Sequence, residues 1–513
     1  MATPINEIGG IVDKARWAFN SGKTLEIEFR RKQLNQLLRL INENELLLVE
    51  SLKKDMQRSR FETIMSDTEI SRNEILHLIY HLDEYTAKKP KQKTLVTVFD
   101  DVYTYYEPLG VVFVVGAWNY PVLLVVNPLA AAMAAGNVVI MKPSELAPHT
   151  SQVLCQLIPQ YLDPSSFFVV SGGADVCQAV LSHKLDHVFY TGSGVVGKKI
   201  YEAAAKHLTP VTLELGGKSP AFIDSSSIKS KYQRIVVARR ILWGKFFNCG
   251  QTCIATDYLL CDKKTTEWFI ANVANIWRAF SYTAEKDFAR ILNTPHYDRL
   301  AKLILDTKGV VYQGKAIGCV HEDDRDQRLF NLKVVTGVDK DDVLMKSELF
   351  GPILPIVTVN DHSEAIAFIK SMEAKPLTMY VFSLDNQVID DFVKTTASGS
   401  VCVNDTMLHM MCDSLPFGGV GDSGMGSYHG IHSFKCFSHE KSVLIRGFSP
   451  ILEWVASKRY PPYSNNHLVR MQRLLRKRKY FNVESLERIP FKAIFAFSIG
   501  ALYGYLAHSY GWH

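Results

Sequence analysis

The sequence predicts an α/β protein built on doubly wound parallel sheets, and two observations carry that prediction. Between residues 111 and 215, short apolar runs alternate with stretches of helical periodicity. Continuously apolar strands separated by helices mark a parallel sheet covered on both faces. Residues 216–420 repeat the texture, as a second domain would, and 513 residues are too many for one core.

Residues 12–90 read as mostly helical, with Leu34, Leu37, Leu38 and Ile41 at helical spacing. Two β-rich runs follow, Thr94 to Phe99 and Val102 to Tyr106, joined at Asp100-Asp101 as a hairpin. The expected strands are then 111–115, 138–141, 167–170, 187–190 and 211–215. The helices between them cover 122–135, 151–161, 176–182 and 195–207, the first kinked at Pro128 and stopped by Gly136-Asn137.

Composition excludes several classes. A hydrophobic fraction of 47% and a charged fraction of 21% are those of an ordinary globular chain. The net charge of +6 is local: Lys458 to Tyr480 holds eight Lys/Arg and no acid, and the rest has 50 basic against 52 acidic residues. The body is therefore not a nucleic-acid binder by charge. Nine scattered cysteines, without CxxC or HExxH, indicate neither a disulfide framework nor a metal site. The start lacks a signal-peptide pattern, so a cytosol-facing compartment is expected.

The basic segment precedes the most apolar stretch. Residues 493–507 carry no charge, and extending the run to 489–512 gives the length of a membrane-spanning helix. Leu468, Val469, Met471, Leu474 and Leu475 interleave with Arg470, Arg473, Arg476 and Lys479, as in a helix lying on a bilayer. The expectation is a C-terminal anchor with membrane lipid as partner.

Four polar clusters follow predicted strands, where α/β sheets bind ligands. Gly192-Ser193-Gly194-Val195-Val196-Gly197 is a literal GxGxxG between strand and helix, suited to a pyrophosphate. Glu214, 22 residues after Gly192, is either a ribose ligand or a general base. Asn119 is an oxyanion donor or a turn residue, and Lys142 a nucleotide contact or a solvated cation. Cys253, in the polar turn Asn248-Cys249-Gly250-Gln251-Thr252-Cys253, is a candidate nucleophile.

Together the motifs GAWNYP, KPSE, YTGSGVVGK, ELGGKSP, GQTCIA, ELFGP and PFGGVGDSGMG occur in order across residues 116–426. They resemble the aldehyde dehydrogenase superfamily, most closely its class 3 branch and, within it, the fatty aldehyde dehydrogenases. The resemblance implies an aldehyde dehydrogenase-like fold. Its NAD-binding domain would span 1–83 and 105–212, its catalytic domain 213–422, and a β oligomerisation element 84–104 with 423–460. A basic amphipathic gatekeeper, 461–488, and a membrane helix, 489–513, would follow. It also implies roles. Cys253 would attack the aldehyde, Asn119 and the Cys253 N–H would hold the oxyanion, and Glu214 would activate water, which replaces its ribose assignment; the nucleotide would lie differently across the sheet, so that the literal GxGxxG is partly a decoy. Lys142, Glu145, Gly192, Ser193, Val196, Glu348 and Phe350 would hold NAD, with NADP the alternative. Tyr120, Phe417 and His429 would wall the substrate. The implied substrates are medium and long aliphatic aldehydes, and the implied assembly is a homodimer. The implied location is the cytosolic face of the endoplasmic reticulum membrane. Glu145 favours NAD by repelling a 2′-phosphate, and Cys249 is read as a packing residue, with a reversible disulfide to Cys253 under oxidation as the alternative. A scaffold without catalysis and a cofactor-independent cysteine acyltransferase are the competing readings.

Overall fold

The computed structural model describes residues 2–94, 96–280, 287–372 and 374–476. The chain forms two compact units, Met1–Tyr85 with Pro108–His439, and Thr86–Glu107 with Glu440–His513.

The first unit contains two sheets. One has six strands in the order Gly424–Met425, Val211–Glu214, His187–Thr191, Val111–Val115, Val138–Lys142, Phe167–Val169. All pairings are parallel except that of the short Gly424–Met425 edge. Val111–Val115 is the first of the parallel strands in sequence and lies at the centre. The chain builds outward on one side of it and then crosses to the other, which creates a switch point where ligands bind at the strands' C-terminal ends. Asn119, Lys142, Thr191 and Glu214 all lie at or just beyond such ends.

Helix Ile5–Asn20 covers this sheet because Ile8, Val12 and Ala15 recur on one face, and they pack with Phe113, Val138 and Ile140. Helix Leu123–Ala135 is buried at every residue and runs on through Pro128, and Gly136 ends it in the left-handed conformation.

The other sheet has seven strands in the order Val310–Tyr312, Lys333–Thr336, Ile353–Thr358, Tyr258–Cys261, Pro220–Ile223, Thr378–Phe382, Ser400–Val403. Only the Val310–Tyr312 edge is antiparallel. Alternate residues feed two separate cores. Ala221, Leu259, Ile356 and Phe382 enter one, and Phe222, Leu260, Val357 and Val381 the other. Two covered faces leave no polar side, which is why these strands carry no alternation.

In the second unit, Asp101–Pro108 pairs with Lys89–Pro90 and has Ser438–Ile445 as its other neighbour. This corrects the expected hairpin. Residues 96–99 form turns rather than a strand. The Thr97 N–H donates to the Thr94 carbonyl, the Asp100 N–H donates to the Thr97 carbonyl, and the Thr94 and Thr97 hydroxyls bond each other at 3.1 Å. Local hydroxyl bonding of this kind competes with a ladder. Arg446 pairs with Asp100 at 3.0 Å. Helix Asn465–Leu475 exposes Leu468, Val469 and Leu475. The expected membrane helix, 489–513, lies outside the described residues. Among the described residues no helix is long and apolar enough to cross a membrane.

Candidate active site

The first unit holds an apolar cavity of 290 Å³. Cys253, Glu214, Asn119, Tyr120 and Phe417 all line it, with Phe61, Trp243, Phe247, Met407 and Met411 among the surrounding walls. Its lining has one carboxyl and no cationic side chain.

Cys253 is held by an unusual loop. Asn248, Cys249 and Gly250 have φ of 52°, 54° and 74°, three left-handed residues in succession. Non-glycine residues resist this conformation, so something must impose it. A Cβ on Gly250 would meet the Gly351 carbonyl at 2.5 Å, which explains the glycine. Asn248 is held on every side: its Nδ2 donates to the Asn119 carbonyl at 3.0 Å and the Gln251 carbonyl at 3.2 Å, and its Oδ1 accepts from Arg58 Nε at 3.0 Å. Asn119 Nδ2 donates to the Gln251 carbonyl at 3.1 Å, which ties the candidate oxyanion donor to the same loop.

Arg58 is the hub. It is fully buried, ion-paired with Asp67, and donates also to the Asn119 carbonyl. Asp67 sits in a π-turn, Ile64–Thr68, and its Oδ1 accepts the Val122 and Leu123 N–H groups at 3.1 and 2.9 Å. It therefore caps the helix that follows Asn119. The Arg58 guanidinium also lies 4.7 Å over the Tyr120 ring, whose hydroxyl bonds Thr252 Oγ1 at 2.6 Å.

Both oxygens of Glu214 are buried without a hydrogen-bond partner, and burial raises its pKa well above the carboxylate range. Burial also pushes the Cys253 thiol up, Glu348 and Glu214 add to the shift, and the Cys253 and Ile254 N–H groups oppose it. Burial thus disfavours the charged form of both the acid and the thiol.

A model of the aldehyde dehydrogenase family matches residues 4–443. The chain belongs to the aldehyde dehydrogenase family. It is 42% identical over 478 residues to aldehyde dehydrogenase family 3 member A2 of Pongo abelii, covering 93% of this chain and 95% of that one. It is 42% identical to the dimeric NADP-preferring aldehyde dehydrogenase of Mus musculus, over 89% of this chain and 98% of the other. The substrate-bound structure of Staphylococcus aureus AldH superposes with a TM-score of 0.85 at 34% identity, over 91% of this chain and 99% of that chain. The protein is an aldehyde dehydrogenase, and it uses NAD or NADP.

The residues expected to hold that cofactor fit it. Ser193 caps helix Gly194–Ala205, Val195 and Val196 are exposed beside it, and the space next to Gly194 is open. A helix N-terminus open to solvent suits a pyrophosphate. Lys142 Nζ meets Glu145 at 2.6 Å and the Gly172 carbonyl at 2.9 Å. Glu348 closes against Gly216, where a Cβ would strike its carboxylate, and burial raises its pKa to about 8. Phe350, with φ 50°, packs edge-on against Trp118 at 5.4 Å. His429 stacks on Phe417 at 5.1 Å but lines an adjoining chamber rather than the cavity of Cys253.

Sequence reading missed Arg58, Asp67 and Asn248. Arg58 sits in Gln57-Arg58-Ser59-Arg60, where nothing distinguishes it from the exposed Arg60.

Arg58→Met is expected to cost about 3–5 kcal/mol in a denaturant titration, since it leaves Asp67 buried and unpaired, with turnover reduced. The double variant Arg58→Met/Asp67→Leu should recover part of the stability. A second expectation concerns pH. The folded state keeps the Glu214 proton where the unfolded chain has lost it, so this group's stability contribution fades as pH rises above the ordinary carboxylate range. The thermal midpoint advantage of Glu214→Gln over the parent should therefore grow with pH; a constant difference would contradict the burial argument.

Proposed function

We propose that the protein oxidises medium- and long-chain aliphatic aldehydes to carboxylic acids at Cys253, from the surface of a membrane. The supporting observation is the apolar cavity whose wall includes Cys253, Glu214 and Asn119. Cavity walls of Phe, Trp, Leu and Met favour an alkyl chain by burial, at about 25 cal/mol per Å².

In this reading the Cys253 thiolate adds to the aldehyde carbon. The Asn119 side-chain N–H and the Cys253 backbone N–H receive the oxyanion of the thiohemiacetal. A bound nicotinamide would supply positive charge and an acceptor for the hydride that leaves the thiohemiacetal carbon, so that Cys253 is left carrying a thioester. Glu214, without a competing partner, takes a proton from water, and that water releases the acid from the Cys253 thioester. Lys142, Glu145, Gly192, Ser193, Val196, Glu348 and Phe350 hold the dinucleotide. Glu145, beside Lys142, favours NAD over NADP because its carboxylate repels a 2′-phosphate.

The remaining parts of the reading rest on the sequence and, for the assembly, on a relative's name. A homodimer would use the three-stranded element of the second unit, and the mouse relative is named dimeric. The uncharged run 493–507 anchors the chain in the cytosolic face of the endoplasmic reticulum, and the basic helix before it lies on that face. Membrane lipid then delivers the aldehyde.

Cys253→Ala should abolish NADH formation from hexadecanal, and undiminished turnover would refute the mechanism. Glu214→Gln should still form the thioester, with its hydrolysis slowed. Removing residues 485–513 should release the protein from membranes in a flotation assay; retention would place the anchor elsewhere.

A further inference from the structure

Beside the cavity of Cys253 lies a second chamber, of 120 Å³. The two share a wall of four side chains, Met65, Ile70, Met410 and Met411. The second chamber is more polar than the first. Asn127 and His429 line it and are 1% and 4% exposed. Both side-chain atoms of the Asn127 amide lack a partner, and so does His429 Nε2. Asn127 lies mid-way along a helix otherwise made of Leu, Val, Ala, Met and Pro, so its amide is the helix's one polar side chain. Buried polar groups are ordinarily bonded, and three orphaned atoms around one small space point to a guest that supplies their bonds.

The chemistry of the orphans defines the guest. His429 Nε2 is buried without a partner, and burial lowers the ring's pKa to about 4, so the neutral ring can accept a hydrogen bond at Nε2. The Asn127 amide offers both a donor and an acceptor. Glu69, Asn73, Glu74 and Asp413 complete the polar lining, and Glu74 already accepts from Ser433 Oγ and the Gly430 N–H. A carboxylate guest would meet three carboxyl groups and could not donate to Nε2. An ammonium would have to shed its water to pass an apolar wall. A hydroxyl donates to Nε2, accepts from Asn127 Nδ2, and carries no charge.

We propose that this chamber is a subsite for a hydroxyl at the far end of an aldehyde substrate whose carbonyl lies at Cys253. The proposal rests on the apolar cavity being the aldehyde site. Three of the four wall residues are methionines, unbranched and adaptable, which suits a partition that a chain end must pass.

The test compares kcat/KM for ω-hydroxyalkanals and plain alkanals of equal length, over a series of lengths, in the full-length enzyme. At the length that reaches the chamber, the hydroxy compound should be preferred. Asn127→Leu and His429→Phe should each lower that preference by about tenfold, the effect of one hydrogen bond. Thermal midpoints near the parent's show that the variants fold, and either variant alone suffices. An ω-amino series with the same preference would replace hydroxyl by ammonium and overturn the assignment. Plain alkanals favoured at every length, or a preference untouched by both variants, would mean that the chamber holds only water. If plain alkanals themselves are not oxidised, the aldehyde reading fails instead, and the two failures are distinguishable.

Discussion

The site depends on one buried ion pair. Arg58 and Asp67 are both removed from water, a loss that their mutual attraction offsets only if the remaining donors and acceptors are also met. Here they are met by groups around the candidate site: the Asn119 carbonyl, the Asn248 amide, and the first N–H groups of helix Leu123–Ala135. An incomplete network would leave a charge stranded in the interior. Arrangements with Asn119 or the cysteine loop displaced are disfavoured for that reason, and the left-handed run Asn248-Cys249-Gly250 is tolerated for the same one.

Within that frame the cavity is electrostatically spare. Glu214 has no partner for either oxygen, and the thiol has only backbone N–H groups to favour its ionised form. A carboxyl left unbonded costs stability, and it is also free to bond whatever enters. Burial thus disfavours charge on Glu214 and Cys253 and leaves the Glu214 oxygens unengaged, while a separate network behind them fixes the loop.

Much of the scaffold was legible. Val111–Val115 reads as a buried strand because both of its faces are covered, and the strand and helix boundaries from 111 to 215 differ from the prediction by only a few residues at each end. Cys253 was legible only through its neighbours, since a thiol in a polar turn has no pattern of its own. Arg58 was not legible: what sets it apart from Arg60 is a contact with Asn248, 190 residues away, which leaves no local trace. The misread hairpin has the opposite cause. Thr94 and Thr97 have high strand propensity, but their hydroxyls found each other first.

The reach of the Arg58 contacts also bears on how the enzyme comes into being. Domains on a growing chain tend to fold in order from the N-terminus. Arg58, Asp67 and Asn119 emerge early, whereas Asn248 arrives 190 residues after Arg58. Until then the guanidinium lacks one of its acceptors, and the Cys253 loop has nothing to dock on. A partly synthesised chain can assemble its first sheet and still be chemically silent. The Cys253 loop can dock only once Asn248 has been made, about half-way along the chain, so the first half alone holds Arg58 and Asn119 without the loop that completes their contacts.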